Sequence, residues 1–90
     1  MSNKKDLKKA INGICKGLFG ECVAATLYSA KIDDSNAEAL LSSIVMTNND
    51  FIRRISHPEP GMDQKKYFKT LKEDFSGRVS EIVDQINNLH

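Results

Sequence analysis

Two cysteines and two histidines are the side chains of this sequence best suited to bind a metal or to form a nucleophile and base pair. His57 and His90 are far apart in the chain, so no His-x-x-x-His motif exists. A zinc site would therefore need Cys15 and Cys22. Cysteine–histidine catalysis would need Cys15, the better placed thiol, to be exposed beside His57. We expect no metal, no cofactor and no enzyme, and an enzyme that uses Cys15 and His57 is the least favoured alternative.

The spacing of the cysteines predicts free thiols. Cys15 and Cys22 are seven residues apart, which on a helix separates their Cα atoms by about 10 Å, beyond the limit of about 7 Å for a disulfide. Both lie on the apolar face of a predicted helix, where a cysteine usually acts as a small buried hydrophobic residue. Unpaired cysteines without a recognisable export signal predict a cytoplasmic location.

Length and composition predict one small globular domain. The 90 residues can enclose a single modest core, so we assign residues 1–90 to one domain. The sequence is 40% hydrophobic and 28% charged, which is ordinary for a folded chain and excludes a disordered one. Its apolar runs are far shorter than the roughly 18 residues that a membrane span requires.

A first helix is predicted from about Asn3 to Ile32, with Ser2 or Asn3 as its cap. Its apolar residues recur at helical spacing and form one broad core face. That predicted face comprises Leu7, Ile11, Ile14, Cys15, Leu18, Phe19, Cys22 and Ala25.

The opposite face of this helix carries a strip of small residues, namely Gly13, Gly17, Gly20 and Ala24. Each glycine costs about 0.5–1 kcal/mol relative to alanine inside a helix. Three interpretations follow. The helix breaks or bends near Gly17 to Gly20, which would give a fourth helix; the strip packs closely against a partner or a second copy; or the glycines are merely tolerated at the surface.

Two further helices are predicted beyond this one. Ser35 and Glu38 have the spacing of a capping box and predict the start of the second helix, whose core face comprises Ala37, Leu40, Leu41, Ile44, Val45, Phe51, Ile52 and Ile55. The prolines and glycine of Ser56–Gly61 must end it. Asp63 then caps a third helix that runs to about Asn88. The fold class is therefore all-α, an up-down-up bundle of three helices, or of four if the first helix breaks.

Charge is segregated along the chain, although the net charge is only +1. Residues 1–20 and 51–72 each carry +4, whereas residues 21–50 carry −4 and residues 73–90 carry −3. Antiparallel helices gather the basic blocks at one end of the bundle and the acidic blocks at the other. The predicted binding surface lies at the basic end and comprises Lys5, Lys9, Arg53, Arg54, His57, Lys65, Lys66 and Lys69.

These patterns favour a non-enzymatic protein–protein interaction module that associates with itself or with a protein partner. The charge segregation can equally be only a means of staying soluble. A second hypothesis is that the basic end binds a polyanion, either nucleic acid or an anionic membrane surface. Poor interleaving of aromatic residues and the absence of helix-turn-helix spacing make nucleic acid the less favoured partner.

Overall fold

A computed structural model describes residues 4–28 and 34–89 of the chain, and these residues contain three α-helices. These are α1 (Lys4–Tyr28), α2 (Asp34–Ser56) and α3 (Gln64–Asn87). No strand occurs among the residues described. The all-α three-helix prediction is therefore confirmed.

Helix α1 runs without interruption through its glycines. The predicted break near Gly17 and Gly20, and with it the four-helix alternative, is wrong. Three glycines lower the stability of the helix by about 3 kcal/mol at most. Burial of one helix face offsets this loss, since the core contains Ile11, Cys15, Leu18 and Cys22. The predicted caps Ser2 and Asn3, and the predicted end at Ile32, lie outside the described residues.

Helix α2 runs antiparallel to α1 because the connection between them is short. Five residues, 29–33, separate Tyr28 from Asp34, and they can span only about 20 Å. A parallel arrangement would require the chain to return along the whole of α2, about 34 Å. Helix α2 begins at Asp34, so Ser35 lies in its first turn rather than at its cap, and the position before the helix is outside the described residues.

The connection between α2 and α3 is a tight turn that contains both prolines. The backbone N–H of His57 donates to the carbonyl oxygen of Arg53 at 2.9 Å and closes α2. Gly61 has a φ of +84°, a conformation that side chains disfavour, which explains glycine after Pro60. Asp63 caps α3, as predicted, by accepting a hydrogen bond from the backbone N–H of Lys65 at 3.3 Å.

The core is one cluster of side chains shared by the three helices. Within it the rings of Phe51 and Phe75 meet edge to face, with centroids 5.2 Å apart. The described part of α2 contributes six buried residues, against four from each of the other helices. This distribution agrees with the wide apolar stripe of α2.

Three residues assigned to the core by helical spacing are exposed. Ile14 is 45% exposed, Phe19 38% and Val45 46%. The buried residues of α1 occupy an arc of only about 60° on a helical wheel, and Ile14 and Phe19 flank that arc on either side. A bundle with Cα extents of 50 × 18 × 16 Å is too narrow to cover such flanking positions.

Two polar residues of α2 lie in or near this core. Thr47 is only 3% exposed, and it is the one polar residue classed as buried within the described ranges. Asn48 is half-buried, and its Oδ1 atom is buried without a hydrogen-bond partner among the described residues. An acceptor left in this state destabilises a fold by about 1–3 kcal/mol.

Candidate functional site

The predicted binding surface lies where the end of α2 meets the start of α3. The hydroxyl of Tyr67 donates to the carbonyl oxygen of Arg54 at 2.9 Å and joins these two helix ends. The antiparallel course of α1 brings its lysine-rich start to the same end. All members of the predicted surface except Arg54 are exposed, namely Lys5, Lys9, Arg53, His57, Lys65, Lys66 and Lys69.

Arg54 differs from the other members because its side chain is used within the fold. Its guanidinium forms an ion pair with Asp74 of α3 at 3.1 Å and lies 4.0 Å from Asp50. The same group lies over the ring of Phe51, with its Cζ atom 4.7 Å from the ring centroid. Arg54 is therefore a structural residue. Asp74, assigned to the acidic end by the sequence, lies next to a residue of the basic end.

The cysteines are buried and unpaired, as their spacing predicts. Cys15 is 4% exposed, so it does not present the exposed thiol that a cysteine–histidine enzyme needs. Burial also raises the pKa of the Cys15 and Cys22 thiols above the ordinary value of 9.0, because the surrounding apolar side chains disfavour the thiolate. His57 lies in the exposed turn after α2.

We predict that neither thiol of the native protein reacts with a disulfide reagent at pH 8 until the chain unfolds. The folded-state pKa values lie above the unfolded value, so the thiolate fraction is lower in the folded protein. Below about pH 9 the thiols are neutral in both states and the free energy of unfolding does not depend on their titration. As the pH rises through the folded-state pKa values, the unfolded chain releases these protons more readily, so the free energy of unfolding falls. Thiol titration with and without denaturant measures the first effect, and urea unfolding at pH 8 and pH 10 measures the second. Rapid labelling of the native protein would contradict this assignment.

The small-residue strip of α1 faces away from the core. On a helical wheel Gly13, Gly17, Gly20 and Ala24 are centred about 160° from the buried residues. A Cβ atom built on any of the three glycines meets nothing within 4 Å. The strip therefore makes no close contact within the described part of the chain, and the surface above it is open.

Large apolar side chains beside this strip are also exposed. Leu27 is 75% exposed and Tyr28 is 89% exposed, and both lie at the end of α1. Sequence reasoning missed Leu27 as a member of the strip, although it follows Ala24 by three residues and so continues the same spacing. We use the name α1 face for Gly13, Ile14, Gly17, Gly20, Ala24, Leu27 and Tyr28. The exposed Glu21 also lies within this arc, between Tyr28 and Ile14 on a helical wheel.

The described ranges contain no group of three His, Cys, Asp or Glu residues that could hold a metal ion. None of the three helices, within those ranges, is long and apolar enough to cross a membrane. A comparison with protein-family models, curated proteins and solved structures finds no match to this chain. Its function is therefore argued from the surfaces described above.

Proposed function

We propose that this protein is a non-enzymatic interaction module that associates with a second copy of itself through the α1 face. The observation that carries the proposal is the exposure of this face, which extends from the small-residue strip opposite the core to Ile14 beside the buried residues. Its glycines leave open space, and Ile14, Leu27 and Tyr28 are 45%, 75% and 89% exposed. Exposed apolar surface of this kind is typical of association sites when it is contiguous.

Small residues allow two helices to pack at short distance. Interaxial distances of packed helices run from about 8 to 10 Å and depend on the side chains at the contact, so glycine at the crossing favours the lower value. A symmetric pair with its two-fold axis near Gly17 would place Leu27 and Tyr28 of each copy on the first half of its partner's α1. These apolar groups would then lose water on association, which is the main driving force for protein contacts.

Charge segregation supports an antiparallel pair. In that arrangement the lysine-rich start of α1 in one copy lies beside the acidic end of its partner, where Glu21, Glu38, Glu81 and Asp84 are exposed. Charge complementarity of this kind contributes mainly to orientation and to the rate of association. The buried free thiols support placing this module in the cytoplasm.

The test is a charged substitution in the middle of the strip. Gly17→Glu is expected to leave the monomer folded, because its Cβ meets no neighbour, and to abolish association by placing a charge in an apolar contact. Gly17→Ala is the matched control, expected to raise helix stability by about 0.5–1 kcal/mol and to retain association. Sedimentation equilibrium at low and high salt measures both. A wild-type chain that is monomeric up to about 1 mM would contradict the proposal, since weaker association is not specific.

The second candidate is polyanion binding at the basic end, favoured by the exposure of lysines at the starts of α1 and α3 and of Arg53 at the end of α2. Titration with duplex DNA, single-stranded DNA and anionic vesicles at low salt tests it, using a variant in which Lys65, Lys66 and Arg53 are glutamine. Binding that weakens with salt and with the substitutions would support this candidate. No binding below about 100 µM would contradict it, because basic proteins bind DNA non-specifically in this range.

A further inference from the structure

A groove lined by both apolar and polar side chains lies along α2, where α3 packs beside it. Its volume is about 510 Å³, within the range of about 300–1,000 Å³ that small-molecule sites occupy. Helix α2 supplies all of the lining residues except Arg78, which reaches the groove from α3. The groove lies outside both surfaces considered above except that it shares Arg53.

Two arginines line this groove without forming an ion pair, although Asp50 lies in the same lining. Arg53 and Arg78 form no ion pair with any residue in the described ranges. Two carboxylates in the vicinity are already engaged by Arg54, which lies 4.0 Å from Asp50 and 3.1 Å from Asp74. Asp50 also lines the groove, so the three charged lining residues carry a net charge of +1.

Three hydroxyl groups line the same groove. Ser42 and Ser43 are on its wall. Thr47, which is 3% exposed, forms its floor, and the side chain of Thr47 makes no hydrogen bond to a described residue. Among the described residues the one fully buried side-chain oxygen or nitrogen without a partner is Asn48 Oδ1, so the Thr47 hydroxyl keeps some contact with solvent and can donate a hydrogen bond to an occupant of the groove.

We propose that the groove binds the phosphate group of a small phosphate monoester. The planar guanidinium group of arginine can donate two parallel hydrogen bonds to two oxygens of one phosphate. The groove supplies guanidinium groups from two helices. A monoester dianion has three terminal oxygens, enough for both arginines and for the hydroxyl of Thr47. The volume exceeds that of one phosphate group, and Ala39 and Met46, which is 70% exposed, give the organic part an apolar surface.

This assignment does not depend on self-association, because the groove is complete within one copy of the chain. Its failure and the failure of the proposed function are therefore distinguishable. A monomeric protein can retain the phosphate site, and a dimeric protein can lack it.

The experiment is an NMR titration of the full chain with phenyl phosphate, with inorganic phosphate and with sodium chloride at matched ionic strength. Phenyl phosphate is expected to give saturable shifts confined to the groove and to bind more tightly than inorganic phosphate. Equal binding of the two would overturn the assignment to a monoester, and shifts spread over all lysine-bearing segments would overturn the site itself.

Three variants and one control sharpen this test. Arg53→Gln and Arg78→Gln are exposed substitutions and are each expected to weaken phenyl phosphate binding by about tenfold, the usual effect of losing one hydrogen bond to a charged group. Thr47→Val is expected to weaken binding while changing the Tm little, because it removes a hydroxyl that makes no hydrogen bond to a described residue and keeps nearly the same side-chain shape. Lys69→Gln, an exposed cation of α3 outside the groove, is expected to bind as the wild type does. Equal losses in Lys69→Gln and Arg78→Gln would overturn the proposal.

Discussion

Phe51→Ala is expected to lower the free energy of unfolding by about 3–5 kcal/mol, the usual cost of truncating a buried phenylalanine. Phe51 is 1% exposed and lies edge to face with Phe75 in the core. The substitution also removes the ring beneath the guanidinium of Arg54. Domains of this size are commonly stable by only about 5–15 kcal/mol, so the variant will lie close to its unfolding transition.

Urea unfolding followed by helical circular dichroism measures this loss, with an expected fall in the midpoint of about 2 M. Phe19→Ala is the matched control, because it makes the same substitution on a side chain that is 38% exposed. We expect a change of less than about 1 kcal/mol there. Equal losses in the two variants would mean that Phe19 is as buried as Phe51 and would contradict the packing of α1.

Arg54→Ala is expected to lower stability by about 1–2 kcal/mol, whereas Arg53→Ala should change it by less than about 0.5 kcal/mol. Only Arg54 has an ion pair with α3 and lies over the ring of Phe51. Both arginines lie in the last turn of α2, so their interaction with the helix dipole is similar and cancels in the comparison.

Thermal unfolding of the two variants checks this pair, and a fall in Tm of about 5–10 °C is expected for Arg54→Ala. Asp74→Asn should reproduce part of the loss, because it removes the charge of the partner on α3. If Arg53→Ala proved as destabilising as Arg54→Ala, the distinction between a structural and an available arginine would be wrong.

Local signals in the sequence were sufficient to predict the three helices. Apolar spacing identified the buried side of each helix, the prolines and Gly61 located the turn, and Asp63 marked the start of α3. These features act over a few residues and therefore do not depend on how the helices pack. Free cysteines and their burial followed from the same spacing argument.

The features that the sequence did not predict depend on how the helices pack against each other. The continuity of α1 through Gly17 depends on burial of the opposite face, and helix propensity alone does not measure that gain. The exposure of Ile14 and Phe19 follows from the narrowness of the bundle. Adjacent residues on a helix differ by 100° in direction, so only the rotation of α2 determines that Arg54, and not Arg53, meets α3.

The groove was not predicted because its members are far apart in sequence. Arg78 is the one basic residue of the acidic segment 73–90, and no recognisable motif surrounds Thr47. Only the pairing of α2 with α3 brings them together. By contrast, the basic end and the small-residue strip were recognisable from charge and spacing, and their binding roles stay predictions.

The slender shape of the bundle affects the apparent molecular mass that hydrodynamic methods give in solution. With a long axis nearly three times its width and a radius of gyration of 14.8 Å, the chain is more extended than a compact domain of this length, for which about 12 Å is usual. Such a particle experiences greater friction than a sphere of equal mass and tumbles anisotropically. On gel filtration a single copy will therefore elute early and resemble a larger protein.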